Sequence, residues 1–140
     1  MRLTYPFVLA ALASLAMTAP ARSDQITGID WQLSAVDGVP VDYDATLRLE
    51  DGGLMGMAPC NGFRARNRAA LPELAIEGIL STKRACDRLD DEQRYLRKLQ
   101  RMTGVRLDGP ATLILTGPDG QQMAFTSAPA GDTAPPEADD

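Results

Sequence analysis

Residues 46–57 read Thr46-Leu47-Arg48-Leu49-Glu50-Asp51-Gly52-Gly53-Leu54-Met55-Gly56-Met57. Leu47 and Leu49 alternate with polar neighbours, the two-residue period of a strand with one buried face. Asp51-Gly52-Gly53 supplies a turn, because aspartate and glycine accept the backbone torsions of a tight reversal. Leu54 to Met57 carries the chain back. The stretch predicts an antiparallel hairpin, and its neighbours repeat the pattern.

Toward the N-terminus, residues 22–30 form a polar lead-in, and Trp31 to Val36 reads as a strand closed by the turn Asp37-Gly38. Toward the C-terminus, Phe63 to Arg68 alternates again and places Arg64, Arg66 and Arg68 on one face. After a loop at 69–72, Leu74, Ile76 and Ile79 predict a strand ending near Ser81. Val105 to Asp108 opens a last sheet portion. Thr112 to Thr116 and Gln122 to Thr126 form its hairpin, with Met123 and Phe125 on one face and a type I turn expected at Gly117-Pro118-Asp119-Gly120.

A different period governs Asp87 to Met102. At 100° per residue, Leu89, Tyr95, Leu96, Leu99 and Met102 fall within an arc of about 140°. Arg94, Arg97, Lys98 and Arg101 lie opposite. Asp87 is placed to cap the start, Asp90 and Arg94 to pair across one turn, and Gly104 to end the helix at C′. One amphipathic helix has one stripe to hide. The predicted class is therefore α+β: a mostly antiparallel, open and curled sheet with the helix packed against it.

The ends of the chain read differently. Arg2 precedes the apolar run Phe7 to Met17, and small residues follow at Ala19-Pro20-Ala21. This is the pattern of a cleavable export signal over residues 1–21, with cleavage after Ala21 or Ser23. The apolar run is shorter than the roughly 20 residues that span a bilayer. No cysteine lies at the junction to carry a lipid, so the expected product is a soluble protein of the periplasm or, second, the medium. Residues 127–140 are Ala, Pro, Gly and acid with no apolar set to bury, and are expected to be a disordered tail.

Composition narrows the function. Of 140 residues, 14 are basic and 19 acidic, a net charge of −5; losing Arg2 with the signal gives 13 against 19, or −6. Acidity of this kind excludes the basic footprint of a nucleic-acid binder. The chain has no histidine, which removes the commonest general base and metal ligand. Ser-His and Cys-His pairs are thereby excluded. Ser81 and Lys83 are not at S-x-x-K spacing. Carboxylates distant in sequence leave an unrecognised acid/base site open, and no cofactor is expected.

Cys60 and Cys86 are the whole cysteine inventory. In an exported protein two cysteines are expected to pair, and closing this loop would contribute roughly 3–4 kcal/mol in the chain-entropy model. A redox-active pair would ordinarily be C-x-x-C. Met55, Met57 and Cys60 would offer soft ligands to Cu(I), but methionine is also ordinary core filler and a disulfide sulfur does not ligate. Arg64, Arg66 and Arg68, with Lys83, Arg84 and Arg88, would make an anion patch if gathered, or a solvated strand face and loop if not.

Several blocks together resemble the META-domain, or HslJ-like, family. They are Trp31-Gln32-Leu33, the hairpin 46–56 followed by Cys60-Asn61-Gly62-Phe63, Ser81-Thr82-Lys83-Arg84-Ala85-Cys86, the helix around Tyr95-Leu96, and Leu113-Ile114-Leu115 with Asp119-Gly120 and Phe125. The likeness runs from about Ile29 to Phe125. Ala58-Pro59 departs from it, standing where the family is commonly glycine-rich. The resemblance implies a mostly antiparallel, barrel-like α+β domain, a curled sheet or cracked β-barrel, at 29–126 here, in an envelope or secreted protein; a monomer is expected. Family members are linked with heat shock, drug tolerance and motility, and no enzymatic activity is implied. The expected role is stress tolerance through binding an envelope protein or structural support. A second expectation, from the fold's likeness to secretin pilots, is a carrier of lipid or another hydrophobic ligand in an apolar cavity.

Overall fold

The computed structural model describes residues 23–127, so the expected export signal over 1–21 and the expected tail beyond Ser127 lie outside the described residues. Nine strands and one α-helix follow in order: β1 Trp31–Val36, β2 Val39–Pro40, β3 Thr46–Glu50, β4 Gly53–Met57, β5 Gly62–Asn67, β6 Ile76–Ser81, α1 Leu89–Gln100, β7 Gly104–Leu107, β8 Thr112–Thr116 and β9 Gln122–Ser127. They form one antiparallel sheet in the order β6-β5-β4-β3-β1-β9-β8-β7, with β2 folded back on β1.

The hairpin 46–57 forms in the register its sequence implies, Arg48 opposite Met55 and Leu49 opposite Leu54. Leu47, Leu49, Leu54 and Phe63 point inward, as do Leu113, Leu115, Met123 and Phe125 of the closing hairpin; all are buried. Trp31 joins the two halves, opposite Leu47 on one side and Ser127 on the other. Burying each such side chain contributes roughly 1.5–3 kcal/mol.

The sheet curls without closing. Its edges approach where the backbone N–H of Val105 donates to Pro72 O and that of Leu74 to Thr103 O, each at 2.9 Å. The helix covers the inner side, burying Tyr95 and Leu99, and the Tyr95 ring meets Phe63 edge-on at 5.9 Å between centroids. Among the described residues no helix is long and apolar enough to cross a membrane.

Several local expectations are corrected. The lead-in is part of the domain: Ile26 is buried and its carbonyl accepts the Trp31 indole N–H at 3.0 Å. Ser127 belongs to β9, not to the tail, and donates its N–H to Ala111 O. Asp87 does not cap α1; Arg88 holds the N-cap position and no side chain caps it. Arg94 pairs with Asp91, not Asp90, at 2.6 Å. Gly104 opens β7 instead of ending the helix, which closes through Arg101 and Met102 N–H groups. At 117–120, Asp119 adopts φ 59°, left-handed like Gly120 beside it, so the turn is not type I.

Candidate functional site

Two features stand out from the fold. The first is a buried polar latch between the helix and two loops. Cys60 and Cys86 are joined by a disulfide with Cα atoms 5.9 Å apart, tying the loop after β4 to the segment before α1. Beside it Asn61, 2% exposed, uses its whole amide. Its Nδ2 donates to Glu92 Oε2 at 2.7 Å and to Arg84 O at 3.1 Å. Its Oδ1 accepts from Thr82 Oγ1 at 2.9 Å and from Arg84 N at 2.6 Å. Glu92 Oε1 accepts the backbone N–H groups of Asn61 at 2.7 Å and Cys60 at 3.2 Å. Every buried polar atom in this cluster has a partner, the condition under which a buried carboxylate is tolerated. The arrangement supplies rigidity. It offers no free acid or base.

This latch accounts for several residues singled out in the sequence. Asn61, Thr82, Cys60 and Cys86 meet there, with Ala85 and Leu96 lining a small cleft of about 320 Å³ beside them. Tyr95 is buried; its hydroxyl donates to Thr46 O at 3.4 Å, and burial pushes the phenol far up. Trp31 sits in the core. Gly62 lies on β5, and Asp119 and Gly120 form the exposed β8–β9 turn, remote from the latch.

The second feature is the outer face of the sheet's first half. One row crosses four strands, Arg48 opposite Met55, Met55 opposite Arg64, and Arg64 opposite Leu80. These side chains alternate with the buried ones and face outward. Met55, Met57 and Leu80 are 46%, 53% and 61% exposed, three of the four exposed large hydrophobics among the described residues. Methionine as core filler is therefore corrected for Met55 and Met57. Met57 leans over Gly62, its sulfur 3.5 Å from where a Cβ there would stand. The face lines an open groove of about 930 Å³. Arg48 is held by a two-pronged ion pair to Asp30, at 2.8 and 2.7 Å, which keeps the Asp30 carboxyl below its ordinary value.

The basic residues are only partly gathered. Arg64 and Arg66 are both exposed on β5, and of the two only Arg64 lines the groove. Arg68 lies one residue past the strand and pairs with Glu77 at 3.4 Å. Arg88 pairs with Asp42 and Asp91 at the start of α1. Lys83 and Arg84 border the cleft beside the latch. Among the described residues no three His, Cys, Asp or Glu side chains are grouped to hold a metal.

Comparison with known proteins supplies the relationship. The META domain model matches residues 24–130. The chain belongs to the META domain family. The match begins before the buried Ile26 and ends past Ser127, in line with the folded limits above. Two solved structures share the fold. One, described as the NMR structure of the protein from Burkholderia xenovorans, is 21% identical with a TM-score of 0.61 and covers 90% of this chain and 98% of its own. The other, described as the NMR structure of the protein, is 19% identical with a TM-score of 0.56, covering 74% and 92%. No curated protein matches this chain.

Proposed function

We propose that this META domain is an exported, non-catalytic binding module of the bacterial envelope, of the HslJ-like kind, serving stress tolerance through a protein partner. Its working surface in this reading is the outer sheet face. The observation that carries it is the exposed cluster Met55, Met57 and Leu80, of which Met55 and Leu80 stand in one row with Arg48 and Arg64. A monomeric soluble domain has no folding reason to concentrate its exposed apolar side chains on one face, and such patches mark interaction sites. The face suits a partner presenting apolar and acidic side chains.

The export signal over residues 1–21 and the disulfide support a periplasmic setting, or a secreted one. Glu92, the buried carboxylate of the described residues, is spent on structural donors, which favours a non-enzymatic role. The hydrophobic-carrier reading needs an apolar cavity beside the helix. The interior there is occupied by Trp31, Tyr95, Leu99, Met102 and Phe125, each 0–1% exposed, which weighs against it.

Complementation tests the proposal. In cells lacking the protein and challenged by heat or envelope-active drugs, the wild-type chain is expected to restore survival. A folded, exported Met55→Asp/Leu80→Asp variant is expected not to. Full rescue by that variant would remove the outer face from the account, and full rescue by a chain without residues 1–21 would remove the compartment.

A further inference from the structure

Sulfur is distributed unevenly between the two faces of the sheet. Met102 and Met123 lie in the core, 1% and 0% exposed. Met55 and Met57 are 46% and 53% exposed, two positions apart on β4, which brings both to the outer face. Cys60 and Cys86 are already oxidised to a disulfide. Among the described residues, the reduced sulfur that solvent reaches is therefore confined to two thioethers, side by side in the apolar patch.

Their surroundings leave them open and make a change at sulfur matter. Met57 stands opposite Gly62, which has no side chain to cover it. Met55 stands between Arg48 and Arg64 of the neighbouring strands, where directly opposed residues have Cβ atoms roughly 4.5–5.5 Å apart. Arg48 is committed to Asp30, whereas Arg64 has no carboxylate within ion-pair distance among the described residues. A thioether is a weak acceptor for a guanidinium group, and a sulfoxide presents it with a polar oxygen. One oxygen atom on Met55 would wet the apolar patch and engage Arg64, the charge left for a partner's carboxylate.

We propose that Met55 and Met57 form a reversible oxidation site, at which an oxygen-transfer oxidant such as hypochlorous acid switches the outer face from apolar to polar. A sulfur lone pair forms the S–O bond as the O–Cl bond breaks. Chloride leaves, the hydroxyl proton passes to water, and the two electrons lost by sulfur reduce the chlorine. Methionine sulfoxide reductases, one for each sulfoxide epimer, restore the thioether; two thiols become a disulfide and the oxygen leaves as water. The site itself stands on exposure and register. Its effect on docking rests on the reading above: the face releases its protein partner under oxidant and regains it after repair.

The test begins with the purified mature chain, titrated stepwise with hypochlorous acid and read by peptide mass spectrometry. Met55 and Met57 are expected to oxidise at least about tenfold faster than Met102 and Met123, because buried sulfur reacts only when the domain opens. The melting temperature is expected to hold, retention on a hydrophobic-interaction column to fall, and reductase treatment to restore it. Met55→Leu/Met57→Leu, apolar but without the sulfur, is expected to keep its retention at the same dose. Comparable oxidation of all four methionines would overturn the proposal. So would unchanged retention once both sulfoxides have formed, or an equal fall in the leucine variant. In cells, photocrosslinking from Leu80 is expected to lose its adduct by at least about tenfold under oxidant, and to keep it in the leucine variant. An adduct that persists on a face carrying both sulfoxides would overturn the switch. No adduct even without oxidant would overturn the docking reading instead, and the oxidation and retention results would then decide the site alone.

Discussion

Glu92→Gln, a change of one atom, probes the latch. Glu92 Oε1 accepts two backbone N–H groups and Oε2 accepts Asn61 Nδ2. A glutamine oxygen would keep the first two bonds. Its NH₂ would then face the NH₂ of Asn61, two donors with no acceptor between them. Asn61 cannot turn over to help, because its Oδ1 already accepts from Thr82 and from Arg84 N. The loss is one hydrogen bond to a charged acceptor, about 1.5–3 kcal/mol, plus a stranded buried donor. Relief of the carboxylate's desolvation offsets part of this. A net loss of about 2 kcal/mol follows, or roughly 8–16 °C in the melting temperature of a domain of this size. Thermal unfolding of the oxidised protein, followed by circular dichroism, measures it. In a double-mutant cycle, Asn61→Ala and Glu92→Gln should couple by more than about 1 kcal/mol. A melting temperature within about 2 °C of wild type would refute the latch as a stabilising element.

Three further outcomes follow from the same structure. Gly56→Ala should unfold the domain or cost about 3 kcal/mol or more, since its Cβ would run into the backbone carbonyl of Thr46 on β3; urea titration measures it, and a near-neutral result would show that β3 and β4 can separate. Reduction, or Cys60→Ala/Cys86→Ala, should cost about 3.5 kcal/mol for a loop of this span, while free thiol in the oxidised, denatured protein would contradict the pairing. Asp37 is held below its ordinary 3.8 by the Lys98 ammonium and then by the Gln122 backbone N–H. Its contribution to stability is therefore complete above about pH 3.8 and lost as pH falls through the lowered folded-state value. Asp37→Asn, which tolerates the left-handed backbone there, should lower stability at neutral pH and flatten the acid limb below pH 3.8; an unchanged acid limb would remove the pair from the account.

The sheet was legible because its strands obey a two-residue period. Leu47 and Leu49, or Met123 and Phe125, announce a buried face without help from any other part of the chain. The latch was legible only in part. Glu92 falls in the middle of the helix's apolar arc, between Leu96 and Leu99, and that misplaced charge was the available signal. An acid in the first turn also complements the helix dipole, so residue type alone does not mark Glu92 as buried. Its partners come from 31 residues upstream, and local patterns do not carry such pairings. The failed cap at Asp87 has a related cause: the disulfide at Cys86, not local capping, sets where the chain enters the helix. The outer face was hidden by residue type, since methionine on an alternating strand reads as core until the register puts Met55 between Arg48 and Arg64.

The outer face is tested most directly by site-specific photocrosslinking in living cells, with the probe at Met57 or Leu80 and a control at the exposed Arg106 on β7. The account predicts a discrete protein adduct from both groove positions, weakened by Arg64→Glu and missing from position 106. No adduct from the groove, or the same adduct from all three positions, would contradict it.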